Sequence, residues 1–420
     1  MRHYQILIIG GGTAGITLAA QLKRKNSALQ IGLLEPSEKH YYQPAWTLVG
    51  GGAFDFKDTE RDMANFIPKG VDWIKDKATV LVPEENKVET AESGTYTYDY
   101  LIPVPGLVMA PDLLPGLSES LGKGVVCSNY TDPEHTWEVL QNFKGGNAVF
   151  TQPTTPIKCG GAPQKIMYLA ESYFRKQGIR DKSNVFFATP GTVIFGVPEF
   201  AKTLTKIIED RNIFFQPFFA PTHIDGKKQE ITFKYIKPNV ESFEIATNSP
   251  LGEESIGPLE VKMHFDMLHL APPQAAPKFI QESSLAIQEG PGKGWVEVDF
   301  HTMQHKRFSN VFCIGDVAHL PTAKTGAAIR KQAPVLVKNL LEMIVKGKVG
   351  TSSYDGYSSC PIVTDYNKML LCEFKYDNVK DSDPLITKFV DTTKEQYSMW
   401  LLKKYGLPFM YWNLMLRGKA

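Results

Sequence analysis

The sequence is short of the residues that would make a disulfide-stapled or metal-centred protein. It has only five cysteines in 420 residues, at 127, 159, 313, 360 and 372. None forms a Cys-x-x-Cys pair, which excludes a disulfide scaffold and covalent haem attachment. The nine histidines are scattered, so no metal site is expected. Long apolar runs are also missing: nothing approaches the ~20 residues of a membrane-spanning helix. Net charge is only +1, so no overall field selects nucleic acid as a partner. Ordinary glycine and proline usage argues against long disorder, and no short internal repeat is visible. The start, "MRHYQILIIGGG", runs straight into a strand without the features of a secretory signal. The expectation is a chain made in the cytosol without a spanning segment; lying on a membrane stays open.

What is present is a hydrophobic content of 43% and a length suited to two or three domains of about 100–200 residues. "YQILII" reads as a buried parallel strand. Gly10-Gly11-Gly12-Thr13-Ala14-Gly15 follows as G-x-G-x-x-G, then a helical run, then the strand "QIGLLEP" ending in Glu35, 20 positions after Gly15. The first glycine makes the tight turn, the second admits a pyrophosphate, and the third lets helix pack on strand. The helix N-terminus offers N–H donors to phosphate, and Glu35 can accept from a ribose hydroxyl. Alone the glycine motif is weak; with strand, helix, strand and acid in register it is strong.

A second motif bears on which dinucleotide binds. "FSNVFCIGD" is an apolar strand ending in Gly315-Asp316, placed as in flavoproteins where the aspartate meets the ribitol of FAD. The helix after it would aim its N-terminus at the flavin's pyrimidine edge. The expected FAD contacts are Gly10, Gly12, Thr13, Ala14, Gly15, Glu35, Pro36, Gln43, Gly106, Gly315, Asp316, Lys324 and Thr325. A second strand–turn–helix–strand unit spans 184–215. Its turn, Thr189 to Gly196, carries bulky residues where a nicotinamide pyrophosphate would lie. It reads as a domain without nicotinamide cofactor, with a divergent NADH site as the alternative.

Four segments, "EPSEKHYYQPAWTLVGGG", "TPIKCGGAPQKIMYLAE", "YDGYSSCPIVTDYN" and "MYWNLMLRG", carry a resemblance over nearly the whole chain to the sulfide:quinone oxidoreductases of the flavin disulfide reductase superfamily, mitochondrial-type branch. The resemblance implies a redox-active pair, Cys159 and Cys360, which are 201 positions apart. Gly160 and Gly161 would leave one side open to sulfide, and Lys158 would favour the thiolate, the reactive form. Hydrosulfide would attack a Cys159–Cys360 bridge and leave a persulfide on Cys360. The freed Cys159 would address the flavin, and an acceptor nucleophile would take the outer sulfur. Fast exchange needs an accessible leaving thiol of low pKa. Cys127 stands where many bacterial members have a third cysteine; it is either a sulfur relay, counted here with the catalytic residues, or a small core residue. Cys313 and Cys372 read as core. "YDYLIPVPG" departs from the family pattern: Pro103 and Pro105 withdraw N–H donors near the FAD phosphates. Arg330 and Lys331 either approach flavin or quinone or face solvent.

The chain's end, "EQYSMWLLKKYGLPFMYWNLMLRGKA", places Tyr397, Trp400, Leu401 and Tyr405 at helical spacing. Aromatics with interspersed lysines suit a membrane interface, the lysines meeting lipid phosphates; a terminal helix pair packed on the core, or a dimer contact, is the alternative. Tyr366, Phe374, Phe409 and Tyr411 are the aromatics that could hold a quinone head. The expected fold class is α/β, with two Rossmann-like dinucleotide-binding domains and C-terminal amphipathic membrane-anchoring helices. The FAD domain takes 1–115 and 290–350, the second domain 116–289, with an antiparallel excursion near 220–260, and the quinone and membrane segment 351–420.

The partners implied are sulfide, a ubiquinone or menaquinone, membrane lipid, a further copy of the chain, and a thiol, sulfite or second sulfide as sulfur acceptor. No nucleic acid or metal is expected. The location implied is monotopic, at a prokaryotic cell membrane or, for a processed eukaryotic form, the mitochondrial inner membrane. Rival readings are a sulfide dehydrogenase feeding a cytochrome, a slow persulfide-sensing flavoprotein, and a type II NADH dehydrogenase.

Overall fold

The computed structural model describes residues 2–420. The strand Arg2–Ile9 is buried over its last four residues and lies between Ile31–Leu34 and Thr95–Pro103, parallel to both. Such unbroken apolar runs are what a parallel sheet covered on both faces requires. Val71–Ile74 extends the sheet on one side. Lys87–Thr90 and Ala78–Val82 continue it antiparallel on the other. The helix Thr13–Lys25 follows the central strand after a three-residue loop. It buries Ala14 through Leu22 and ends in Lys23, Arg24 and Lys25, cations that suit the negative end of the helix dipole. Late in the chain Val311 pairs with Leu101, which carries Gly315 and Asp316 back to the same sheet.

A second parallel sheet orders Val126–Cys127, Met267–Leu270, Gly146–Thr151, Ser183–Thr189 and Phe214–Pro217. From it rises a four-stranded antiparallel sheet between Phe219 and His264, where the charged, turn-rich stretch predicted one. The turn after Ser183–Thr189 differs in kind from the first glycine loop. Residues 190–197 intervene before the helix Pro198–Asp210, whereas only 10–12 intervene in the first unit. Ile194 and Val197 are buried in this turn and pack into the core of the second sheet.

The C-terminal segment 351–420 does not begin as helix. Ser358–Asp365 and Lys368–Phe374 form an antiparallel hairpin, an element the sequence reading lacked, lying against the helix Ala162–Lys176. An ion network with a buried Glu171 and a half-exposed Arg175 joins them: Glu171 meets Arg175 at 2.9 Å, and Arg175 meets Asp365 of the hairpin at 2.8 Å. Ser172 also hydrogen-bonds Asp365. Removing Arg175 would leave the buried Glu171 short of a partner, so the network favours one register of helix and hairpin. Beyond, the backbone is helical from Tyr397 to Met415, with wide turns at Leu402–Gly406 and Tyr411–Met415. Among the described residues no helix is long and apolar enough to cross a membrane.

Candidate active site

Cys159 ends the loop that precedes the helix Ala162–Lys176, with φ +51°. A non-glycine residue in this region marks a backbone held by its surroundings. The holds are visible: its N–H donates to Lys324 O at 2.8 Å, and its carbonyl accepts from Ala162 N at 2.8 Å and Tyr130 OH at 3.0 Å. Lys324 belongs to the segment leading from Gly315-Asp316 to the helix Gly326–Lys346, so one hydrogen bond ties the cysteine loop to the predicted flavin edge.

Cys360, on the hairpin, stands beside Cys159, near enough that each sulfur shifts the other's titration. Gly161 makes this approach possible. A Cβ there would lie 2.5 Å from Cys360 Sγ and 2.6 Å from Ile362 Cδ1. Gly160 would meet nothing within 4 Å. Only Gly160, then, borders open space; Gly161 makes room for sulfur.

The cation at the thiols is Lys165, not Lys158. Lys165 sits in the first turn of its helix, is 2% exposed, and places Nζ 3.1 Å from Cys159 Sγ. Lys158 instead donates to Gln43 Oε1 at 2.6 Å. The hydrogen bond from Cys360 holds the Cys159 thiol well below the usual thiol range, against burial and with Lys165 adding its charge. Cys360, as the donor, is pushed well above that range, burial adding to the effect. Burial works to discharge Lys165, but the sulfurs' charge outweighs it and keeps the amine protonated. In the reduced protein these shifts favour thiolate at Cys159, thiol at Cys360 and ammonium at Lys165. A second buried amine, Lys403, comes from the C-terminal helical run. Its Nζ donates to Pro44 O at 2.7 Å. Burial, then the nearby Lys165, bring it down to about 7. Sequence reasoning set Lys403 against lipid phosphate; the helix turns it inward.

The dinucleotide loop fits FAD. Gly10 has φ +102°, and a Cβ at Gly15 would lie 1.8 Å from Gly10 O, so both positions require glycine. Gly12 faces open space, where a phosphate would lie on the helix N-terminus. Glu35 accepts from Gly11 N and Ser37 N, each at 2.7 Å. Pro36 follows exposed. Gly315 packs on Ala14, its Cβ position 3.5 Å from that side chain, so the two motifs expected to share one cofactor do meet. Gly315, Lys324 and Thr325 line a small cavity there, and Thr325 caps the long helix by accepting from Ala328 N. Burial raises the Asp316 carboxyl and lowers Lys324 to about 8. Gln274 holds Lys158 N at 2.8 Å and keeps a buried, unpartnered amide N–H, a donor free for a bound group. Gly106 takes φ +74°. Pro103 ends its strand opposite Ile9, and Pro105 abuts Gly10, so the departure at 98–106 is accommodated as packing.

Cys127 is fully buried in the core of the second sheet, where burial pushes its thiol up to about 12. Its setting is that of a packing residue, in the same core cluster as Cys360. Cys313 is likewise buried and donates to Pro103 O. Cys372 lies directly across the hairpin from Cys360. The four aromatics proposed for a quinone do not share one wall. Phe374 packs on Phe195 beside a cavity of about 260 Å³, and Tyr366 donates to Gly51 O. Tyr411 is buried against Thr13 and His40. Phe409 alone is exposed, lining a cleft of about 750 Å³ with Phe54, Trp137, Tyr405 and Trp412. Arg330 and Lys331 stand over the Tyr357 ring.

Residues 4–138 match the family described as pyridine nucleotide-disulphide oxidoreductase. The mouse protein named sulfide:quinone oxidoreductase, mitochondrial, is 42% identical over 99% of this chain and 87% of its own length. The chain belongs to the sulfide:quinone oxidoreductase family. The Dictyostelium discoideum member is 43% identical over 99% of this chain and 86% of its own length. The solved sulfide:quinone oxidoreductase of Aquifex aeolicus, 18% identical, superposes with a TM-score of 0.76 over 100% of this chain and 92% of that one, so the architecture described above is also found in that member.

Proposed function

We propose that this protein oxidises sulfide at Cys159 and Cys360 and passes the electrons through FAD to a membrane quinone. The observation that carries this reading is the contact of two thiols, from distant segments, with one buried ammonium in a chain of this family. In the oxidised enzyme the pair forms a disulfide. Hydrosulfide attacks Cys360 Sγ, and the S–S bond breaks toward Cys159, whose thiolate Lys165 stabilises. Cys360 is left as a persulfide, and its outer sulfur passes to an acceptor nucleophile. Bound FAD supplies the two-electron oxidation that re-forms the bridge. A low leaving-group pKa speeds such exchange, which explains why the lysine serves Cys159.

The membrane reading rests on the C-terminal face. Tyr397, Leu401, Tyr405 and Phe409 follow at four-residue intervals and are each 38–62% exposed, while Met399, Trp400 and Lys403 point inward. One exposed apolar stripe on a helix suits the headgroup layer of a bilayer. The adjoining cleft is the opening assigned to the quinone.

The test is to follow flavin and quinone absorbance with sulfide and a short-chain quinone in detergent, then with NADH. Sulfide alone should consume quinone, and Cys159→Ser and Cys360→Ser should each abolish it. Quinone consumption with NADH but not with sulfide would reject the reading.

A further inference from the structure

The last ten residues fold back on the dinucleotide domain. Gly418 lies against the helix Thr13–Lys25 so closely that a Cβ would stand 2.8 Å from Ala20 C and Gln21 N. Gln21 donates to Ala420 O at 3.0 Å. Arg417 donates to Asn65 O at 2.7 Å and lies over the Phe66 ring. Trp412 packs on Phe66 and His40, with Arg61 across its face.

At the centre is a chain of buried hydrogen bonds. Tyr411 OH is 2.7 Å from both Thr13 Oγ1 and His40 Nε2, and His40 Nδ1 is 3.2 Å from Gly11 O. The direction of each bond follows from chemistry. A carbonyl only accepts, so His40 Nδ1 carries hydrogen. Burial keeps the imidazole neutral, lowering it to about 4, so Nε2 accepts. Tyr411 then donates to His40, and Thr13 donates to Tyr411. One phenol thus fixes both flanks of Gly12, the residue whose open side faces the phosphate position. Holding a loop in its binding conformation beforehand removes an ordering cost from binding.

We propose that Tyr411 is a positioning residue and the C-terminal tail a clasp, holding Gly11–Thr13 in the phosphate-binding conformation so that FAD retention depends on the tail being seated. This rests on the reading that FAD occupies the glycine loop. The experiment dilutes holoenzyme into moderate salt and follows the rise of free-flavin fluorescence. Tyr411→Phe, which keeps the ring and removes the hydroxyl, should release FAD about three- to tenfold faster, the range one or two net hydrogen bonds supply. Arg417→Ala, at the surface, should also speed release and stands in if Tyr411→Phe does not fold. His40→Phe combined with Tyr411→Phe should release FAD no faster than the faster single variant, because both break one chain. Wild-type release rates in Tyr411→Phe, or in Arg417→Ala if that is the variant that folds, would overturn the clasp, as would effects of His40 and Tyr411 that multiply. A wild-type protein that takes up no FAD would overturn both the clasp and the cofactor reading.

Discussion

Lys165 adds its charge to the bias that the Cys360 hydrogen bond sets toward a Cys159 thiolate. Its buried ammonium lies 3.1 Å from the half-buried Cys159, where the attraction is less screened than in bulk water. Lys165→Met should raise the pH at which the reduced protein is alkylated by iodoacetamide and slow quinone reduction; an unchanged alkylation profile would show that the lysine does not set the thiolate. Cys127→Ala removes one fully buried core sulfur. It should keep wild-type turnover while losing about 1 kcal/mol of stability in denaturant melts. Cys159 stood out from its glycine neighbours, but nothing in the sequence singled out Lys165, because which face of that helix meets the hairpin is not a local property.

The glycine pair after Cys159 shows how an element positions a side chain. Gly160 and Gly161 are alike on paper, yet one borders space and the other contacts Cys360 and Ile362 across the helix–hairpin junction. Gly161→Ala must displace the sulfur or the hairpin and should abolish sulfide-dependent quinone reduction with FAD still bound. Gly160→Ala should be tolerated. Equal rates in the two variants, measured by the same absorbance assay, would contradict this geometry. The hairpin itself was not foreseen. "SSCPIVTD" and "KMLLCEF" are short apolar runs with a proline in the first, and periodicity alone does not separate such runs from helix. By contrast, the first strand–loop–helix unit was legible because its signals are all local and mutually consistent.

At the scale of the whole molecule, the C-terminal run joins three tasks: an exposed apolar stripe outside, Lys403 beside the cysteines, and Tyr411 against the glycine loop. Lys403 gives a pH signature. Below about pH 7 its amine is charged in folded and unfolded chains alike, and burying that charge costs its full penalty. Between about 7 and its ordinary value of 10.5 the folded chain has released a proton that the unfolded chain keeps, so stability rises with pH. Lys403→Met should therefore gain most in melting temperature over wild type below pH 7, and the gain should fade toward pH 10.5; a difference independent of pH would place the amine in solvent. Tyr405→Ser with Phe409→Ser, at the stripe, should weaken flotation with anionic liposomes without altering the flavin spectrum, the outcome expected if apolar burial drives attachment.

The sequence by itself determined the parts with short-range signals: the glycine loop and its acid, the return of Gly315-Asp316, the loss of a second nucleotide fingerprint, and a family resemblance carried by four contiguous segments. The tertiary structure alone decided that Cys159 and Cys360 touch, that Lys165 rather than Lys158 is their cation, that Lys403 points inward, and that Tyr411 closes on Thr13. The reason is physical. A strand or a turn is specified by neighbours along the chain, whereas a thiol pair 201 residues apart is specified by how helix and hairpin faces pack, and packing is written in no single stretch of sequence.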